Sequence, residues 1–235
     1  MAKKAFMNWS GGKDSALALY RVLQNPEYAV EKLFTTVSAE NGRISMHGVR
    51  RELLEAQAKR LNIPLKVLEL PSNCSMETYD SLMHQAMQEL KSEGLTYAIF
   101  GDIFLDDLKA YRDKKLEAAE IKGVYPIWKE DTKDLIEGFL QSGFKTMTSC
   151  VSEKLLDKTF AGREIDQQFL NDLPKNVDPC GENGEFHTFV FDAPFFEEPI
   201  PIEKGETVFK QYKTDEEETW NSGFWYCDLK LKILS

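Results

Sequence analysis

Short apolar runs alternate with helical stretches of ten or more residues along the first half of the chain, and no other feature restricts its fold as much. Residues 4–9 (KAFMNW) are apolar and aromatic, as a buried strand requires. A glycine turn follows, and residues 14–23 carry good helix formers at helical spacing until Asn25-Pro26 stops them. Residues 33–37 predict a second strand, and the polar stretch 38–43 contains the turn signal Asn41-Gly42. Residues 47–61 predict a helix halted by Asn62 and Pro64, and 65–70 a third strand. Residues 75–92 predict a long amphipathic helix ending at Gly94, and 97–100 a fourth strand running into Gly101-Asp102. A charged helix over 107–122 capped by Gly123 and a fifth strand over 124–128 follow. A helix over 132–142 closed by Gly143 and a strand over 144–151 complete the pattern. Such alternation predicts an α/β fold: a parallel sheet, helices on both faces and right-handed crossovers. The parallel region is expected to run from the start to about residue 125–150.

The remainder has another rhythm. Residues 186–191 (FHTFVF), 207–212 and 224–233 look like strands with no long helix between them, and Pro194, Pro199 and Pro201 separate the first two. A smaller C-terminal α+β region is expected, which divides the chain into residues 1–125 and 126–235. With 235 residues, 42% hydrophobic and 29% charged, a sizeable core is within reach. The net charge of −10, from 39 acidic and 29 basic residues, repels nucleic-acid backbones on average, so a nucleic-acid partner is not expected. The acidic run Asp215-Glu216-Glu217-Glu218 reads as a solvated loop. No window approaches the roughly 18 apolar residues of a membrane span, and MAKKAFMNW lacks the apolar stretch of a signal peptide. Cys74, Cys150, Cys180 and Cys227 form no C-x-x-C pair. Reduced thiols, a cytoplasmic setting and no membrane partner are therefore expected. A homodimer stays open.

In open parallel sheets, ligands bind where loops leave the carboxyl ends of strands. Three such loops carry small or polar groups: residues 10–15 (SGGKDS), Ser38 with its neighbours, and Gly101-Asp102. In the first, Gly11 and Gly12 let the backbone turn tightly and aim N–H groups inward. The helix beginning near Asp14 adds its positive end, Lys13 a full charge, and Ser10 and Ser15 hydroxyl donors. This is a cradle for phosphate or pyrophosphate. It is not a Walker A loop, because Met7 occupies the first glycine position and Asp14 follows the lysine. The alternative is a glycine-rich strand–helix turn with a surface lysine.

Ser-Gly-Gly-Lys-Asp-Ser directly after a first strand resembles the pyrophosphate (PP) loop of the N-type ATP pyrophosphatase superfamily. That resemblance implies a Rossmann-like, HUP-type sheet and cleavage of ATP between the α- and β-phosphates. Further segments narrow it: Ser45-Met46-His47, the run Gln57-Ala58-Lys59-Arg60-Leu61-Asn62-Ile63-Pro64-Leu65, Gly101-Asp102-Ile103, Pro126-Ile127-Trp128, and Cys180-Gly181-Glu182-Asn183-Gly184-Glu185-Phe186-His187-Thr188. In this order, from residue 4 to about 196, they resemble the diphthine–ammonia ligase family. What the resemblance implies is an amide ligase: ATP adenylates a carboxylate, pyrophosphate leaves, and ammonia displaces AMP. ATP, Mg²⁺ and ammonia would be its small-molecule partners.

The resemblance also implies roles. Ser10, Gly11, Gly12, Lys13 and Ser15 would bind phosphates, and Asp14 would assist a metal or simply cap the helix. Ser38, Gly101 and Asp102 would line the nucleotide crevice, and His47 would touch ATP or only satisfy its loop. Glu182, Asn183, Gly184, Glu185, His187 and Thr188 would form the substrate site, with Lys13, Asp14, Glu182 and Glu185 as the catalytic set. The family's motif has glycine where Asn183 stands and glutamate where His187 stands. The acceptor is therefore diphthine, a trimethylammonium-bearing residue of an elongation factor, or a small metabolite carboxylate such as a cobalamin precursor. Two rivals remain: a tRNA-modifying enzyme of the same superfamily, which the acidic charge and the missing C-x-x-C oppose, and a non-catalytic nucleotide sensor, which Lys13 and the paired acids oppose.

Overall fold

Strands β1 (Lys3–Asn8), β2 (Tyr28–Ser38), β3 (Leu65–Leu70), β4 (Tyr97–Ile99) and β5 (Lys122–Val124) form a parallel sheet in the order β3-β2-β1-β4-β5. The structure, a computed structural model, describes residues 1–44, 47–72, 74–212 and 222–232. Central strand β1 has Ala5, Phe6 and Met7 fully buried, as a parallel strand covered on both faces must. Phe6 packs on one side with Met87 and Leu90 of α3 (Met76–Ser92) and Leu116 of α4 (Asp106–Ala118). Ala5 and Met7 pack on the other with Ala16 and Leu19 of α1 (Lys13–Leu23) and Leu53 and Leu54 of α2 (Arg51–Leu61). The predicted α/β, Rossmann-like architecture is thus present.

After α5 (Thr132–Gln141), strands β6 (Lys145–Ser152), β7 (Phe186–Asp192), β8 (Ile202–Tyr212) and β9 (Ser222–Leu231) build a second sheet, antiparallel, in the order β7-β6-β9-β8. A short 3-10 turn (Lys158–Phe160) and helix α6 (Gln167–Asp172) sit within this half. The larger core cluster runs unbroken from α1 through Phe139 and Phe144 to Val151, Phe186 and Phe189. The two sheets therefore share apolar packing.

Some boundaries differ from expectation, for local reasons. Helix α2 begins at Arg51, not 47, because Gly48 takes a left-handed turn at φ +66° ahead of it. Helix α4 stops at Ala118, and the turn after it is made by Glu120 at φ +54°. Gly123 is no helix cap; it lies inside β5, opposite Ala98. That strand spans Lys122–Val124 rather than 124–128, since Pro126 has no N–H to offer a ladder. Strands β2 and β8 start five residues earlier than expected, at Tyr28 and Ile202, where cross-strand pairing outweighs mixed local composition. Ser45, Met46, the acidic run 215–218 and Ile233 lie outside the described residues. Among the described residues, no helix is long and apolar enough to cross a membrane.

Candidate functional site

The chain lays β2 and β3 on one side of β1 and β4 and β5 on the other, so the loops after β1 and β4 part from each other at the carboxyl edge. Such a switch point is where doubly wound sheets open a crevice. Residues 10–15 leave β1 there. Gly11 sits at φ +74°, and a Cβ on it would lie 2.7 Å from Gln57 Oε1 and Leu54 Cδ2. Gly12 caps α1 with extended backbone and no side chain of its own. Thr188 on β7 serves instead, its Oγ1 accepting from Lys13 N at 3.0 Å. Ser10 Oγ accepts from Gly12 N at 3.3 Å and donates to Ser15 Oγ at 3.2 Å, while Ser15 Oγ donates to Gly12 O at 2.9 Å. Both hydroxyls thus brace the turn at the positive end of α1.

Lys13 is only 3% exposed. Its Nζ donates to both oxygens of Asp14, at 2.6 and 2.8 Å, and lies 5.7 Å from the centre of the Phe186 ring. Burial works against its charge, but Asp14, aided by the fields of Cys180 and Glu182, holds its pKa above the ordinary value. Asp14 is pushed up by burial, with Lys13 opposing. Gly101 touches the same helix start: a Cβ on it would come within 2.6 to 2.7 Å of the Asp14 carbonyl and Ser15 N. The adjacent Asp102 carboxylate accepts from the Arg112 guanidinium.

The loop before β7 brings in the two glutamates, in unlike surroundings. Glu182 Oε1 accepts from Ile103 N at 2.9 Å, tying this loop to the end of β4. Burial lifts its carboxyl to about 7 against that hydrogen bond, and Asp14 and Asp102 add to the rise while Lys13 opposes it. Glu185 is 1% exposed and faces its own loop: Oε1 accepts from Asp178 N and Asn183 Nδ2, both at 3.0 Å, and Oε2 from Asn183 N at 2.8 Å. Asn183 is exposed, and Gly184 takes φ +85° to close the turn. Asp178 holds the other end, accepting from Cys180 N at 2.9 Å and Thr132 Oγ at 2.7 Å.

His47 and His187 meet across the two halves of the chain, their rings stacked 4.2 Å apart at 28°. Ser38 stands apart: its hydroxyl accepts from Glu40 N at 3.3 Å and closes the turn after β2. Gln57 and Asp178 carry more of the site than the sequence suggested. Gln57 is fully buried; its amide donates to Gly11 O at 3.0 Å and Val190 O at 2.7 Å and accepts from Trp9 Nε1 at 2.8 Å. The signal for it was present, since a glutamine at the core spacing of Leu53, Leu54 and Ala58 needs buried partners. Asp178 left no such trace. Among the described residues, no group of three His, Cys, Asp or Glu side chains is placed to hold a metal ion, and Asp14 faces Lys13.

Residues 2–122 match the family model described as Diphthamide synthase N-terminal domain, and residues 131–233 match the Diphthamide synthase C-terminal domain. The chain is similar to the diphthine–ammonia ligase of Danio rerio, 27% identical over 135 residues, which are 54% of this chain and 52% of the relative. It is similar also to the diphthine–ammonia ligases of Homo sapiens, 32% identical over 87 residues, and Bos taurus, 31% over 87; each alignment covers 35% of this chain and 33% of the relative. The matched stretch is about half the length of the zebrafish protein and a third of the mammalian ones.

Proposed function

Because the chain belongs to the diphthamide synthase family, we propose that it is an ATP-dependent ligase that adenylates a carboxylate, releases pyrophosphate and amidates the product with ammonia. The relatives' name supports diphthine as the acceptor. The observation that carries the reading is a convergence at one sheet edge: a glycine-capped helix start, the buried cation of Lys13, and a carboxyl, Glu182, with a pKa of about 7.

Each part has a task. Residues 10–15 and the positive end of α1 meet the phosphates, and Lys13 neutralises charge building on the departing pyrophosphate. The missing Cβ of Gly101 lets the segment after β4 approach the Asp14 carbonyl and Ser15 N at the start of α1. Mg²⁺, which favours phosphate and water oxygens over protein cages, would have at most Asp14 as a protein ligand here and would supply further charge neutralisation to the nucleotide. Glu182 takes the proton that the attacking nitrogen loses; with a pKa of about 7 its carboxylate is available above neutrality. Glu185 holds the loop that presents Glu182, with both oxygens bound to that loop. In this scheme residues 1–125 bind the nucleotide and 126–235 supply the acceptor site, joined by the Lys13–Thr188 hydrogen bond.

The product nucleotide tests the reading. Incubation with ATP, ammonium and a diphthine-bearing elongation factor should yield AMP and pyrophosphate in step with amide formation. ADP and phosphate instead would overturn it.

A further inference from the structure

Among the described residues, two buried polar side-chain atoms lack a hydrogen-bond partner: His47 Nδ1 and Ser149 Oγ. Both belong to the surroundings of one residue, His187. The His47 ring lies against it at 4.2 Å. Ser149, 2% exposed, is the extra residue of a bulge in β6, where Thr148 pairs with Thr188 and Cys150 with His187. A buried polar group without a partner destabilises a fold, and one on the stacked ring with another on the strand beside His187 point to a small polar molecule that completes the hydrogen bonding.

The residues flanking His47 in the chain are tied to the second sheet. Asp228 on β9 accepts from Arg43 Nη2 at 2.7 Å and from Arg50 Nε and Nη2 at 2.9 and 2.8 Å. Arg43 Nη1 also donates to Gly48 O at 2.8 Å, one residue from His47. Gly48 itself abuts the Tyr226 ring, where a Cβ would lie 2.6 Å away. Arg43 and Arg50, on either side of His47 in the chain, are thus tied to the second sheet.

We propose that His47, His187 and Ser149 form the subsite for the nucleophile, and that it takes neutral ammonia rather than ammonium. This rests on the ligase reading above. The physical grounds are the charges present. Burial, with Lys13 as the charge facing both rings, lowers the pKa of His47 well below the ordinary value and that of His187 to about 4, so both imidazoles are neutral near pH 7. Lys13, itself paired with Asp14, is the cation whose field reaches both rings, and no carboxylate contributes to the shift of either ring. Neutral imidazoles and a hydroxyl offer lone pairs and N–H or O–H donors, which match ammonia's three donors and one lone pair. In the step that follows, ammonia forms the C–N bond, the C–O bond to the phosphate breaks, AMP leaves with the electron pair, and nitrogen sheds its proton to Glu182.

Steady-state kinetics of the full chain, with ammonium chloride as the nitrogen source, test this. His47→Phe keeps the ring stack but removes both nitrogens, and Ser149→Ala removes a hydroxyl that has no partner to lose in the free protein. Each should raise KM for ammonium by about fivefold, the worth of one hydrogen bond, with KM for ATP within about twofold of the parent. In the unaltered enzyme, KM counted as total ammonium should fall about tenfold per pH unit between pH 7 and 8.5, as the neutral fraction of an amine of high pKa grows. An unchanged ammonium KM in both variants overturns the proposal, as does a KM for total ammonium that does not move with pH. A rise in KM for ATP alone would put His47 on the nucleotide and overturn it too. If the unaltered enzyme forms no AMP at all, the ligase reading itself fails, and this subsite with it.

Discussion

Lys13 and Glu182 show how burial sets chemistry one residue at a time. Lys13 keeps its charge in the interior because the Asp14 carboxylate lies 2.6 Å away. Lys13→Ala removes the cation proposed to face the departing pyrophosphate, and AMP formation should fall by about 10² to 10³. A near-parental rate would refute the phosphate-cradle role. Glu182 is desolvated to a pKa of about 7, so turnover should rise with pH through that value and lose this step in Glu182→Gln. The same shift makes a stability claim. A carboxyl whose folded pKa is raised favours folding fully below the ordinary carboxyl range, and that contribution is lost as pH rises through about 7. Urea melts should therefore find Glu182→Gln more stable than the parent at pH 8 and the advantage gone at pH 4. An equal difference at both pH values would place the effect in packing.

At the scale of elements, the site depends on a backbone contact that no side chain announces. The end of β4 lies against the first turn of α1 because residue 101 has no Cβ; one placed there would reach the Asp14 carbonyl at 2.6 to 2.7 Å. Gly101→Ala must push β4 and α1 apart. A loss of about 1–3 kcal/mol in chemical melts is expected, with a several-fold rise in KM for ATP. Parental stability and affinity together would show that the strand end yields without cost. The glycine next to the strand was legible as a loop signal. Its role as a contact was not, because that depends on two segments nearly ninety positions apart.

Across the whole molecule, Gln57 joins what the chain order keeps apart. Its side chain links α2, the glycine loop at Gly11 and strand β7 at Val190, and it accepts from Trp9. Gln57→Leu would leave those buried groups unpaired, and a loss of about 2–4 kcal/mol is expected in urea unfolding followed by tryptophan fluorescence. Less than about 1 kcal/mol would show that the two sheets need no such bracket. Strand and helix order and the glycine loop after β1 follow from periodicity and turn chemistry, which act over a few residues, so the sequence alone determined them. The ends of α4 and β5 did not follow, because Glu120 in a left-handed turn and Gly123 within a strand are local exceptions that pairing with β4 overrules. Glu182 and Glu185 look alike as neighbours in a motif. Only the tertiary structure separated them, sending one to Ile103 with a raised pKa and turning the other into its own loop. Thr188 as the cap of α1, the His47–His187 stack and the Gln57 bracket belong to the same class. Each is a contact between distant segments, whose strength depends on burial and distance, and neither quantity is written in the order of residues.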